Sequence, residues 1–445
     1  MVLGLTCAAL AYATNPAVPL LATAVLGAVV LGLWRLEYGI ALVLIAAPFA
    51  ENMSITDPGS AKLRLALVLW APMLVVVEIA RTALASRRLQ LPAMSWGALA
   101  FVVAALLAVP TASDGLPSAA KALLLIGSVA IAALVGLFIR EWRTLRIILV
   151  AALASGLLIS FHAIFQYLTG DLSRVGFISV GGEVEYRVAS VFPHPNQLAG
   201  FLVVFVPLAL ALRSAFSEPW LRAACALLVA AAAFGVLVTY SRGALVALAA
   251  LPLLYLSRPR AWPLIAGAAV AVVLLAPGAL GDRVANAGQL DRPEIASRVD
   301  FWDAALTMFG QRPILGIGLD NFGSSYIELE QPGRSFVGGG SLAPPETAHS
   351  LYLNTLAEQG LIGAMALAIL AISLMSTSSS LRKSEDVRAR AMGQALAGMG
   401  LVLLVHNAFD VTLTDPKTST LVWALLGAGA AMHRIDMDRG PAQEP

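Results

Sequence analysis

The sequence predicts an all-α integral membrane protein with about 12–14 transmembrane helices and one large loop outside the bilayer. Three observations predict it. The 445 residues are 59% hydrophobic and only 13% charged, with a mean hydropathy of +0.81, whereas soluble domains carry about 25% charged residues. Apolar runs of span length recur along the chain without the strand alternation of a barrel, so only helices can satisfy their backbone polar groups inside lipid. Basic residues also collect in alternate connections, as the positive-inside rule requires of a multi-pass protein.

Taken in order, the candidate spans are 2–14, 17–34, 37–50, 64–80, 95–110, 118–139, 144–168, 196–212, 219–239, 241–256, 261–277, 351–377, 388–411 and 418–434. The first three are short for a hydrocarbon core about 30 Å thick, which leaves the exact number open. Met1 to Ala13 lacks the basic start of a secretory leader and is taken as a first span or half-span. The groups Arg81/Arg87/Arg88, Arg140/Arg143/Arg146, Arg213/Arg222, Arg258/Arg260 and Arg382/Lys383/Arg388/Arg390 all fall on one side, which becomes the cytoplasmic one, together with Arg434. Segments 51–63, 111–118, 169–195, 278–350 and 412–417 then face outward. The chain divides accordingly: N-terminal helices over 1–168, central helices with the outer loop 169–195 over 169–277, the large outer loop 278–350, and C-terminal helices with a short tail over 351–445.

Two outer segments are long enough to carry chemistry. The first holds Arg174, a Gly181-Gly182 turn, and Arg187 followed by Pro193-His194-Pro195-Asn196. The prolines exclude helix at His194, and Asn196 is expected to cap the next span. The second holds Val299, Trp302, Ala305, Leu306 and Phe309 at helical spacing, which reads as an amphipathic helix on the membrane surface. Pro313 and the Gly316/Gly318 pair close it.

Cofactor, nucleic-acid and disulfide chemistry have no footing here. A net charge of +2 gives no nucleic-acid signal, and Cys7 and Cys225 sit in apolar runs without metal spacing. No HExxH pattern, Asp-x-Asp pair or dense outer acidic cluster stands ready for a metal. What stands out is arginine, 25 of the 29 basic residues, the side chain suited to forked capture of phosphate. Arg242 sits between two apolar runs with almost no loop and needs an anionic partner or a wet cavity, since an arginine at a helix centre costs about 2.5–3.5 kcal/mol on insertion scales. A snorkelling contact with lipid headgroups is the plainer alternative. Arg187 could equally be an ordinary loop charge, and His349 a satisfied interfacial histidine. His194 and His406 read as structural. Yet Arg187, Arg242 and His349 come from three parts of the chain and project to one face. Two guanidiniums can neutralise a pyrophosphate, and a histidine of near-neutral pKa can take a proton from an incoming hydroxyl. A flippase or transporter is the rival class, but such proteins place ionisable groups near the midplane.

His349-Ser350, nine residues, Gly360, two residues and Gly363 resemble the histidine-glycine signature of the O-antigen ligase superfamily. Three more pieces are similar to its pattern: Arg187 with Pro195-Asn196-Gln-Leu-Ala-Gly200; Tyr240-Ser-Arg242-Gly243; and Arg298-x-x-x-Trp302 followed by Pro313-Ile-Leu-Gly316-Ile-Gly318. Together they cover about 180–365. The resemblance implies a cofactor-free, metal-independent glycosyltransferase of GT-C type in the bacterial inner membrane, working on the periplasmic side. It would move a glycan from undecaprenyl pyrophosphate to an acceptor hydroxyl. An O-antigen ligase attaching O-antigen to lipid A-core is the favoured reading, and a Wzy-type polymerase with a glycan acceptor is the alternative. By matching positions, Arg187 and Arg242 would bind pyrophosphate and His349 would be catalytic, with Arg298 and Asn196 as second-tier substrate contacts.

Overall fold

A computed structural model describes residues 17–49, 58–85, 91–171, 173–180, 183–255, 293–329 and 345–439. The expected spans 2–14 and 261–277 fall outside them. The described chain is all-helical apart from one hairpin: α1 Ala17–Trp34, α2 Leu36–Ala46, α3 Pro58–Leu84, α4 Ala93–Ala108, α5 Gly115–Ala133, α6 Trp142–Thr169, α7 Pro195–Leu212, α8 Pro219–Val238, α9 Arg242–Ala250, α10 Pro293–Gln311, α11 Phe322–Leu329, α12 Leu351–Arg382, α13 Val387–His406 and α14 Pro416–Arg439. Among the described residues seven helical stretches are long and apolar enough to cross a membrane, carried by α4, α5, α6, α7, α8, α12 and α13. The shorter apolar stretches Leu36–Phe49 and Arg242–Leu254 sit beside them.

The bundle is organised around α7. Its span window is 83% buried against 33% for α12, which makes α7 the central post and α12 a lipid-facing wall. The α12 wall packs on α4 and α13, α13 packs on α7, and α7 on α8. Phe201 lies between Phe205 and Phe192 at ring separations of 5.1 and 5.2 Å, which fixes the outer end of α7 against the loop before it. Phe101 of α4 meets Trp423 of α14 at 5.9 Å. At its far end α5 runs into a π turn over Leu134–Phe138, and buried Arg434 donates to the freed carbonyls of Leu137 and Ile139. Such a turn leaves carbonyls without helical partners, and the guanidinium supplies them.

Two features depart from the sequence reading. The outer segment after α6 is not plain loop: Ser173–Val180 (β1) and Glu183–Arg187 (β2) pair antiparallel. Its alternation is short and mixed with charge, too weak a signal for a strand beside such strong helical patterns. Asn196 also does not cap α7. His194 does, accepting the Asn196 amide on Nδ1 at 3.1 Å. The prolines on both sides hold His194 extended, the geometry an N-cap needs.

The surface helix α10 is present, but its buried line is displaced. Phe301, Ala305 and Met308 join Phe322, Tyr326, Ile317 and Ala357 in a small outer core, while Val299 and Leu306 remain about half exposed. That outer core is what holds the large loop onto the first turns of α12.

Candidate active site

The site begins with an interruption in α12. Gly360 has φ 61° and ψ −155°, inside an otherwise helical run. Only glycine visits that region readily. The segment 313–318 is spliced into the break. The amides of Leu361 and Ile362 donate to the carbonyls of Pro313 and Ile314 at 2.8 and 3.2 Å, and the carbonyls of Ala357 and Glu358 receive the amides of Ile317 and Gly318 at 2.9 and 3.1 Å. Two amides and two carbonyls beside the kink thus find main-chain partners, as buried backbone requires. Gly316, at φ 71°, lies so close that a Cβ would enter the Glu358–Gln359 backbone. The Pro-Ile-Leu-Gly-Ile-Gly stretch and the glycine eleven residues after His349 are therefore two halves of one joint.

Above this joint the chain places His349. Its backbone is left-handed, with φ 49°, a conformation costing about 1–3 kcal/mol for a non-glycine residue. The strain is held from both sides. The Ala348 amide donates to Asn354 Oδ1 at 3.0 Å, and the Leu351 amide donates to the carbonyls of Asn407 and Asp410 at 2.8 and 3.0 Å. The imidazole rests on Phe301 at 5.9 Å, and Phe301 meets Tyr326 edge-on at 5.4 Å. His349 Nδ1 is buried and has no hydrogen-bond partner among the described residues. A buried polar atom of this kind is rare without a ligand or water to satisfy it.

Arg187 approaches from the hairpin. It is 6% exposed, donates from Nε to the Thr239 carbonyl at 2.7 Å, and reaches Asn196 Oδ1 at 2.7 Å. The Val188 amide meets the Val238 carbonyl at 3.4 Å, so the end of β2 runs beside the α8–α9 turn. Arg242 opens α9 immediately after that turn, where Tyr240 is also left-handed at φ 52°. Its neighbour Gly243 abuts Phe409 and His406, and Arg298 donates to the Phe409 carbonyl at 3.0 Å. Lys417 braces the intervening loop through the Val191 carbonyl and the face of Phe192.

Electrostatics knit these groups together. Burial lowers the His194 pKa to about 4, with Arg187, His349 and Arg298 pushing the same way and Asp410 opposing them. Burial likewise lowers the His349 pKa below its usual 6.5; Asp410 pulls it back up and Arg298 pushes it further down. Arg187, Asn196, His194, Arg298, Asp410 and His349 therefore form one outer cluster, while Arg242 opens α9 just after the turn that contacts β2. Asp410 was not singled out in the sequence. It sits in a short turn between two spans and has no motif of its own; only its hydrogen-bonded turn with Val411, beside Asn407 and Thr412, brings it to His349.

A neutral imidazole at neutral pH has a kinetic signature. If His349 serves as a base, it loses that form only as pH falls through a pKa below 6.5, so the rate of the reaction it serves should be flat at pH 7 and decline on the acid side of 6.5. Removing the opposing carboxylate (Asp410→Asn) should move that acid limb lower still. A limb centred above pH 7, or one unmoved by the substitution, would contradict this environment.

Residues 226–368 match the family model described as O-antigen ligase. The match contains Arg242, Arg298, His349 and the Gly360 joint, and leaves Arg187 and Asn196 to the part of the chain before it. No curated protein matches the chain. About a third of the chain, residues 226–368, is thus similar to the O-antigen ligase family, and it lies within a bundle holding helices long and apolar enough to cross a membrane.

Proposed function

We propose that the protein transfers a preassembled glycan from undecaprenyl pyrophosphate to an acceptor hydroxyl, acting as an O-antigen ligase on lipid A-core at the periplasmic face of the inner membrane. The observation that carries the reading is the strained, half-buried His349, whose buried Nδ1 has no hydrogen-bond partner among the described residues and which feels both Arg298 and Asp410; the segments that supply Arg187 and Arg242 adjoin each other through the Val188–Val238 bond. The family supports glycosyl transfer of ligase or polymerase type; the donor, acceptor and residue roles are our assignment.

In this mechanism Arg187 and Arg242 bind the pyrophosphate. Asn196 and the Thr239 carbonyl each hold Arg187, which fixes the position of its guanidinium. The acceptor oxygen attacks the anomeric carbon as the bond from that carbon to the phosphate oxygen breaks. Negative charge builds on the departing pyrophosphate, where the guanidiniums stabilise it. His349 accepts the hydroxyl proton, a role suited to a neutral ring, and general-base assistance of this kind contributes typically about 10²–10⁴-fold.

The test is transfer by purified protein in liposomes with a lipid-linked donor and lipid A-core. Single addition of a preformed glycan supports the ligase; a ladder of lengthening lipid-linked chains, with lipid A-core unmodified, replaces it with a polymerase. Because the guanidiniums carry the charge, activity should persist in excess EDTA, and complete loss restored by magnesium or manganese would remove the metal-free route. Arg187→Lys should lose at least about tenfold in kcat/KM, since an ammonium cannot keep Asn196, Thr239 and a phosphate at once. Unaltered turnover would leave Arg187 with no such role.

A further inference from the structure

The bundle has a polar concavity at the end opposite His349. A cavity of about 390 Å³ lies where α6, α8 and α13 begin, lined by Trp142, Arg143, Arg146, Phe216, Glu218 and Arg388, with Glu141 at its rim. It is set apart from the outer cluster by the length of α6, 28 residues, or about 42 Å at 1.5 Å per residue. The glycosyl-transfer reading uses none of these residues.

The lining has a division of labour. Glu218 is engaged by Arg146 at 2.7 Å, which settles one carboxylate internally. Arg388 lies over the Trp142 ring at 5.2 Å, and Trp142 meets Phe216 at 6.3 Å. Stacking of this kind uses the face of a guanidinium and leaves its N–H edges directed elsewhere. Arg143 is exposed at the mouth. Three guanidiniums thus face two carboxylates. The first turn of α6 adds amides, because its capping residue Glu141 makes no side-chain cap. The volume lies within the range of small-ligand sites, about 300–1,000 Å³, and exceeds what a bare phosphate needs. Aromatic rings set among arginines at a span terminus, with Trp220 exposed nearby at 62%, are the arrangement of a membrane interface.

We propose that this cavity is a binding site for a phosphate-bearing headgroup, taken from an anionic phospholipid of the cytoplasmic leaflet. The phosphate would contact Arg143 and Arg388, and the acyl chains would run along the apolar faces of α6 and α8. The proposal does not depend on the transferase reading, because it concerns the other end of the bundle and is read by binding alone.

The experiment is native mass spectrometry of the full chain with phosphatidylglycerol, phosphatidylcholine, or glycerol 1-phosphate as probes. Wild type is expected to retain one phosphatidylglycerol at least about tenfold better than phosphatidylcholine. Arg143→Gln combined with Arg388→Gln should abolish that preference, while Arg187→Gln at the outer end should not alter it. Arg143→Gln alone, at an exposed position, should weaken retention several-fold and guards against a folding defect in the double variant. Saturable binding of glycerol 1-phosphate that displaces the lipid and is lost in the same variants would keep the site but make its ligand a soluble phosphate ester. Equal retention of both lipids by wild type, or a preference indifferent to Arg143 and Arg388, would overturn the proposal.

Discussion

His349→Ala is expected to lower transfer by at least about 10²-fold, the loss that follows removal of a general base, while donor binding stays within about twofold of wild type. The two readouts separate because His349 and the arginines are supplied by different elements: the imidazole by the turn into α12, Arg187 by β2, and Arg242 by the start of α9. Arg242→Ala should behave in the opposite way, weakening retention of a prenyl pyrophosphate as well as slowing transfer. Folding is not at stake at His349. Alanine is less strained than histidine only in volume, not in φ, and the bonds fixing the 348–351 turn belong to Asn354, Asn407 and Asp410 rather than to the ring. A monodisperse His349→Ala protein that transfers glycan at wild-type rate would refute the role.

Gly360→Ala is expected to cost about 3 kcal/mol or more of stability. Its φ and ψ lie in a region essentially reserved for glycine, worth about 1–3 kcal/mol of strain for any other residue. A Cβ would also enter the Ile314 carbonyl, which now accepts from the Ile362 amide. Separating those groups leaves buried backbone unsatisfied at about 1–3 kcal/mol each. The variant should melt well below wild type in detergent and exchange the Ile317 and Gly318 amides faster, because those two hydrogen bonds share the joint. A variant with unchanged melting and unchanged protection would show that the joint does not hold the outer segment.

Much of this architecture was legible in the chain, and the exceptions have physical causes. Helical spans are the one unstrained answer to long apolar runs in lipid, so α4 to α8, α12 and α13 follow the sequence with shifts at their ends. The hairpin over 173–187 was missed because its alternation is brief. Asn196 looked like a cap because its type favours that place, yet the His194 ring takes the amide and frees the Asn196 carboxamide for Arg187. Resemblance marked Arg187, Arg242, Arg298 and His349, but spacing alone could not say why Gly360 accompanies the histidine. That reason lies in segment 313–318, more than forty residues upstream, and a contact at such separation leaves no local pattern. The same is true of Asp410.

The splice at Gly360 has a consequence for how this family of sequences can vary. Because amides and carbonyls make the connection, segment 313–318 is held to α12 by groups every residue possesses. Side chains along 313–318 are then at liberty to vary, so long as the glycines hold, without undoing the joint.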